Sequence, residues 1–167
     1  MARKELTVSL YMSELVYDVQ NKTYLTGRSR QAEGNYEEVA HMQANDDDEN
    51  KNQIARSLGN AFQTLKLKLS EYIVEQGTTA NNILMDVSPQ TKLSLALSMP
   101  SNYNEATREA IATSIHKYMI NTAIGDWFTI TNKADAADYI AQASLNINEI
   151  REAINKRVRP TRPDVTI

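Results

Sequence analysis

Apolar residues recur at steps of three and four along most of this chain, a spacing that gathers side chains on one face of a helix. Four long stretches have this spacing: residues 7–30, 46–77, 101–128 and 135–156. Each apolar face must be covered by another element, because otherwise it would stay in contact with water. The pattern therefore predicts a mainly α fold, and more specifically a four-helix bundle.

The predicted helices begin and end at recognisable signals. Ser101 or Asn102 can cap the third helix at its N-terminus, and Gly77 can end the second because glycine readily takes a left-handed conformation. A polar break at residues 131–133 separates the third helix from the fourth. A further short helix over residues 36–42 is compatible with the pattern between the first two helices.

Residues 82–99 have a different pattern. Leu93, Leu95, Leu97 and Met99 alternate with smaller residues, and a turn signal at residues 88–90 precedes them. This favours a short extended segment or a β-hairpin. Residues 93–97 also contain good helix formers, so strand and helix both stay open for this segment.

The length of 167 residues suits one domain with a substantial core, which we assign to residues 1–156. Residues 157–167 are predicted to form an extended basic arm. Pro160 and Pro163 lack a backbone donor and push the preceding residue toward extended geometry, so the fourth helix cannot continue through them. Such an arm gains most by lying on another molecule.

The formal net charge is only −3, but the charges are unevenly distributed. Residues 31–50 contain seven acidic residues and no Lys or Arg, whereas basic residues crowd the C-terminus. We define residues 31–50 as the acidic segment. Asp46, Asp47 and Asp48 also lie where the second helix is predicted to begin, and the helix dipole favours negative charge there. Solvated surface, helix capping and pairing with the basic arm of another copy are all open interpretations of this segment.

The basic arm and the acidic segment supply the candidate interaction residues. Arginines can donate forked hydrogen bonds to carboxylates, and the prolines reduce the entropy lost on docking. The candidates are Arg157, Arg159, Pro160, Arg162, Pro163 and Ile167 in the arm, and Asp46, Asp47 and Asp48 in the acidic segment.

No motif in the sequence predicts a reaction, a metal site or a cofactor. Glu38 and His41 have the spacing of ligands in di-iron bundles, but His116 lacks the second carboxylate that such sites need three residues before it. We therefore expect a surface histidine at His41 and a partly buried, hydrogen-bonded one at His116. The triple aspartate lacks the glycine and final glutamate of an EF-hand loop. With no cysteine, the sequence excludes disulfides and thiol chemistry.

The aromatic residues suggest a stacking platform for single-stranded nucleic acid, but helical spacing favours core or subunit contacts for Tyr11, Tyr17 and Tyr24 and for Trp127 with Phe128. A pI near 5.4 argues against direct nucleic-acid contact. No apolar run reaches the roughly 18 residues that a membrane helix needs, and we expect neither a signal peptide nor a membrane association.

Residues 115–118 (IHKY), 126–139 (DWFTITNKADAADY) and 157–160 (RVRP) resemble uncharacterised helical structural proteins of tailed phages and prophages of gut Bacteroidetes. The resemblance covers roughly the C-terminal half, from Met99 onward. It implies a virion protein of the neck or tail region, assembled in the cytoplasm of the bacterial host, with portal, connector or tail proteins as partners. It carries over no catalytic residue.

Two functions are therefore expected from the sequence. The first is a non-enzymatic virion structural protein that forms an oligomeric ring or connector of itself in the head-to-tail region. The alternative is a small intracellular helical adaptor or regulator that binds a protein or nucleic acid through its basic arm.

Overall fold

The computed structural model describes residues 2–79 and 92–163. This part of the chain is mainly helical with a small two-stranded antiparallel sheet. The named elements, in chain order, are β1 (Lys4–Tyr11), α1 (Met12–Ser29), α2 (Tyr36–Met42), α3 (Asp48–Lys68), β2 (Lys92–Met99), α4 (Arg108–Thr131) and α5 (Lys133–Asn155).

Strand β1 corrects the prediction that the first helix begins at residue 7. Leu6, Val8 and Leu10 are buried while the residues between them are exposed, which is the two-residue period of a strand. Their side chains pack into the same core as the helices. The helix begins only at Met12, because pairing with β2 stabilises the extended backbone before it.

Strand β2 confirms an extended segment at the end of residues 82–99. It pairs antiparallel with β1, with Leu97 opposite Leu6 and Leu93 opposite Leu10. The partner is therefore the distant N-terminal strand. The first half of the expected hairpin, residues 83–87, lies outside the described residues.

Helix α3 ends at Lys68, so the prediction that this helix continues to Gly77 was wrong. After it, residues 72–79 run along the other edge of β2, where the Val74 amide donates to the Ala96 carbonyl at 2.9 Å. Gly77 allows this close approach, since a Cβ there would lie 2.7 Å from the Ala96 Cβ. Backbone pairing of β2 on both edges is thus what ends the helix early.

Helices α4 and α5 fit the predicted third and fourth helices, with Asn132 as the break between them. The short helix α2 is also confirmed. Capping by Ser101 or Asn102 was wrong: the Asn104 side chain accepts a hydrogen bond from the Ala106 amide at 3.1 Å and caps a 3-10 turn that leads into α4.

Helix α4 lies at the centre of the structure. It packs against α5 along most of its length and also contacts α1, α3 and β1. Consequently its buried residues surround the helix instead of forming one stripe; they are Ile111, Ser114, Ile115, Tyr118, Met119, Ile120, Asn121, Ala123, Ile124, Gly125 and Phe128.

Truncation of a core side chain should be far more destabilising than truncation at the surface. Leu65 and Ile115 are both 0% exposed, so Leu65→Ala and Ile115→Ala should each lower the free energy of unfolding by roughly 2–5 kcal/mol. His41 is exposed, and His41→Ala should cost less than about 0.5 kcal/mol. Urea denaturation followed by circular dichroism measures all three, and a loss above about 2 kcal/mol for His41→Ala would contradict its surface assignment.

Candidate interaction surfaces

The start of the C-terminal arm is docked on the chain itself. The Asn104 amide donates to the Lys156 carbonyl at 3.1 Å, and the Val158 amide donates to the Asn102 carbonyl at 2.8 Å. Arg157 lies opposite Tyr103 in this bridge, and its guanidinium donates to the Ile154 carbonyl at 2.7 Å. The arm is thus anchored up to residue 158.

Beyond that anchor the described arm is exposed and has neither helix nor strand. This holds for Arg159, Pro160, Thr161, Arg162 and Pro163, as the prolines predicted. Ile167, the remaining candidate in the arm, lies outside the described residues. The free part of the arm therefore leaves the domain from a fixed point.

Other cations gather around this fixed point. The Arg3 guanidinium donates to the Ser98 hydroxyl at 2.7 Å, the Lys4 ammonium to the Tyr103 carbonyl at 3.0 Å, and Arg108 to the Glu5 carbonyl at 3.1 Å. We define the basic end as Arg3, Lys4, Arg108, Lys156, Arg157, Arg159 and Arg162. Glu5, Glu71, Glu105, Glu109 and Glu152 lie at the same end of the fold, and Glu152 pairs with Lys156 at 3.0 Å. The seven cations still outnumber the five carboxylates there. The sequence pattern predicted a basic surface on the arm alone. Arg3 and Lys4 join this surface only because β1 pairs with β2.

The three aspartates of the acidic segment behave differently from one another. The Asp46 carboxylate pairs with the Lys51 ammonium at 2.8 Å, and this hydrogen bond lowers the pKa of Asp46. Asp47 occupies the N-cap of α3, but its side chain makes no capping hydrogen bond, so hydrogen-bonded capping was wrong for that residue. Asp48 and Glu49 lie in the first turn of α3, where the helix dipole favours them. All four are exposed.

The basic end and the acidic segment lie at opposite ends of the fold. Helix α3 begins at Asp48, and just beyond its C-terminus the Tyr72 hydroxyl donates to Asn155 at 3.3 Å, next to the start of the arm. A helix of 21 residues spans about 32 Å. Likewise, Met42 at the end of α2 accepts a hydrogen bond from Trp127, near the C-terminus of α4, whereas Thr107 just before α4 bonds to α5 beside the arm.

A buried carboxylate fixes the connection that leads into the acidic segment. Arg30 follows α1 and donates two hydrogen bonds to Asp135, one of them from Nε at 3.2 Å, while Asn132 donates to the same carboxylate at 2.6 Å. Asp135 is only 6% exposed. The Arg30 carbonyl in turn accepts a hydrogen bond at 2.8 Å from the side-chain Nδ2 of Asn35, one residue before α2. The position of α2 thus depends on the junction between α4 and α5.

The two histidines are placed as expected from the sequence. His41 is exposed, and His116 is partly exposed with its Nε2 atom 2.8 Å from an Asp18 carboxylate oxygen. Within residues 2–79 and 92–163 there is no group of three or more His, Asp or Glu side chains arranged to hold a metal ion.

The aromatic residues divide into two groups. Phe128 is fully buried against Tyr139, and the half-buried Trp127 donates its indole N–H to the Met42 carbonyl at 2.8 Å, so core contacts are confirmed for both. In contrast, three residues that their spacing assigned to core or subunit contacts are exposed: Tyr11 by 53%, Tyr17 by 62% and Tyr24 by 41%. The core interpretation was wrong for them, and a subunit contact stays a prediction.

In the part of the chain that the structure describes, no helix combines the length and the apolar character that crossing a membrane requires. Comparison of the sequence with protein-family models, with curated proteins and with solved structures finds no match.

The contacts of Asp135, at the junction between α4 and α5, predict a specific dependence of the free energy of unfolding on pH. The hydrogen bond from Arg30 lowers the pKa of Asp135, burial opposes this shift, and the bond from Asn132 adds to it. Because the folded pKa is depressed, the stabilisation is present above the unfolded pKa of about 3.9 and is lost as the pH falls through the folded value. Asp135→Asn should therefore lower the free energy of unfolding by about 1–2 kcal/mol at pH 7, and by progressively less on acidification.

Asp138→Asn is the matched control, because this substitution removes the same charge from the same helix at an exposed position. Its effect should stay under about 0.5 kcal/mol at every pH. Urea denaturation between pH 7 and pH 3 measures both variants, and equal losses for the two would show that the buried junction contributes nothing specific.

Proposed function

We propose that this chain is a non-enzymatic structural protein that associates head to tail with copies of itself through its basic end and its acidic segment. The observation that carries the proposal is the separation of opposite charges at the two ends of one helical fold. Each copy then presents a surface complementary to the far end of the next.

The geometry disfavours pairing of the arm with the acidic segment of its own chain. The arm leaves the fold near Asn155, and Asp48 lies about 32 Å away along α3. An extended arm from residue 159 to residue 167 reaches roughly 30 Å only when fully stretched. A second copy can approach without that entropic cost. Contact between two different surfaces gives a heterologous interface, which builds rings or filaments.

We further propose that the assembly is a ring or connector in the neck or tail of a tailed phage, with portal, connector or tail proteins as its other partners. This part rests on the resemblance of residues 115–118, 126–139 and 157–160 to phage structural proteins. It would place the protein in the virion. We also propose that α1, α3, α4 and α5 form a four-helix bundle, which is supported by the packing of the other three helices against α4.

An adaptor that uses the arm to bind one partner is favoured by a different observation, namely that residues 159–163 are fully available on the surface. Gel filtration with light scattering separates the two functions. Many copies per particle are expected for the structural protein, and a monomer or dimer for the adaptor.

Deletion of residues 160–167 should abolish or weaken self-association without affecting the fold. The described deleted residues are exposed, so helicity and the melting temperature should stay nearly unchanged. Light scattering across a concentration series measures the mass of the assembly. If the truncated chain assembles like the wild type, the arm is a dispensable tail.

Reversal of charge in the acidic segment should weaken self-association and make the remainder less sensitive to salt. The variant Asp47→Lys with Asp48→Lys is preferred, because it leaves the pair of Asp46 with Lys51 intact. Sedimentation at low and high salt measures both effects.

The matched control is Glu14→Lys with Glu75→Lys, at two exposed residues outside both the basic end and the acidic segment. It makes the same change in net charge, and Glu14 lies in the first turn of α1, so part of the loss of helix-dipole stabilisation is matched too. Only the variant in the acidic segment should weaken assembly. Equal behaviour of the two variants would indicate that net charge alone, and no localised contact, governs association.

A further inference from the structure

An open groove lies between α1 and α2, beside the acidic segment. Tyr24, Arg28 and Gln31 line it from the last part of α1 and the residues after it, and Tyr36, Val39, Ala40 and Gln43 line it from α2. Each side spans eight residues of chain, or seven steps of about 1.5 Å, so the groove is about 10 Å long. It is too open and too polar to be part of the core.

The two tyrosines make this groove unusual for a free surface. Tyr24 is 41% exposed and Tyr36 is 60% exposed, on facing sides of the groove. Large aromatic rings held on two helices form a rigid apolar surface with polar tips, which is the composition of a docking site. The helices themselves are held close together, since a Cβ on Gly27 would lie 3.2 Å from the Val39 carbonyl oxygen.

The C-terminal arm has the complementary shape. Its sequence Arg157-Val158-Arg159-Pro160-Thr161-Arg162-Pro163 spaces two prolines three residues apart. The prolines favour a polyproline II conformation, which has three residues per turn and rises about 9 Å per turn. Pro160 and Pro163 therefore share one edge, at a separation that fits the length of the groove. Proline-rich segments of this kind dock in grooves lined by aromatic residues.

We propose that the groove between α1 and α2 binds the proline-containing arm of a second copy of this chain. Pro160 and Pro163 pack on Tyr24 and Tyr36, and the arginines of the arm face carboxylates next to the groove. This inference rests on the proposed self-association and specifies the contact that carries it.

The charges around the groove give the arm an orientation. Glu37 follows Tyr36 on α2 and Glu33 precedes it in the loop, and both are exposed. Arg28 lies on the α1 side and donates to the Tyr24 hydroxyl at 3.4 Å, so that side carries the same sign as the arm. Arg159 and Arg162 are therefore expected on the α2 side. The acidic segment attracts the arm, and the groove determines where it docks.

A labelled peptide with the sequence of residues 157–163, blocked at both ends, tests the groove directly. Its fluorescence anisotropy is titrated with the full chain below the concentration at which the chain associates. The wild-type chain should bind it, and Tyr36→Ala should weaken binding at least about tenfold, because loss of an aromatic anchor from a small interface has an effect of that size. The same peptide with Pro160→Ala and Pro163→Ala should also bind at least about tenfold more weakly.

Tyr17→Ala is the matched control, since Tyr17 is 62% exposed on α1 but does not line the groove. It should change binding less than about twofold. Equal effects of Tyr17→Ala and Tyr36→Ala, or equal binding of the two peptides, would overturn the groove assignment. The peptide variant keeps this test independent of how any protein variant folds.

Light scattering on the full-length variants separates failure of the groove from failure of self-association. If the chain assembles and Tyr36→Ala assembles equally well, the groove assignment is wrong while the proposed self-association stands. If Tyr36→Ala weakens binding of the peptide but the chain stays monomeric, the groove recognises proline-containing segments and the proposed self-association is wrong. If the peptide does not bind and the chain is monomeric, both proposals fail.

Discussion

Most of this fold is arranged around the need to cover α4. That helix is buried around most of its circumference, from Ile111 to Phe128, so it must be enclosed by α5, α1, α3 and β1 together. A polar contact then fixes how far α5 is shifted along α4. The buried Asn121 amide donates to Asn146 at 2.8 Å, between α4 and α5. Loss of the partner of this buried side-chain N–H would be costly, so a shift of α5 along α4 is disfavoured.

The long helices could be predicted from sequence because their signal is local. Residues 108–131 and 133–155 each carry their own apolar pattern, and Asn132 between them interrupts it. The sheet could not be predicted in the same way. Leu6, Val8 and Leu10 alternate like a strand, but they run directly into the helical pattern after Met12, and their partner β2 lies about 90 residues later in the chain. The end of α3 at Lys68, before the predicted end at Gly77, was missed for the same reason. It depends on the pairing of Val74 with the distant Ala96.

The candidate surfaces were only partly visible in the sequence. The arm and the acidic segment are continuous stretches, so their composition alone identifies them. Arg3, Lys4 and Arg108 join the basic end through contacts with Ser98, Tyr103 and Glu5, which no local pattern could anticipate. The groove was missed because helical spacing made Tyr24 appear to belong to the core. Its neighbour Thr26 instead bonds to Tyr139 at 2.8 Å, and that contact leaves Tyr24 on the groove side of α1.

A short arm in a shallow groove gives a weak contact, and this has a consequence for the proposed assembly. A docked proline segment buries little surface, so a single contact between two copies would dissociate readily. In a closed ring, however, each copy is held by two such contacts, and the release of one leaves the other in place. A closed ring would therefore be far more stable than an open chain of the same number of copies. Ring closure also requires a reproducible angle between successive copies, which is favoured when the start of the arm is held on the fold. The bonds from Asn104 to Lys156 and from Val158 to Asn102 provide this constraint.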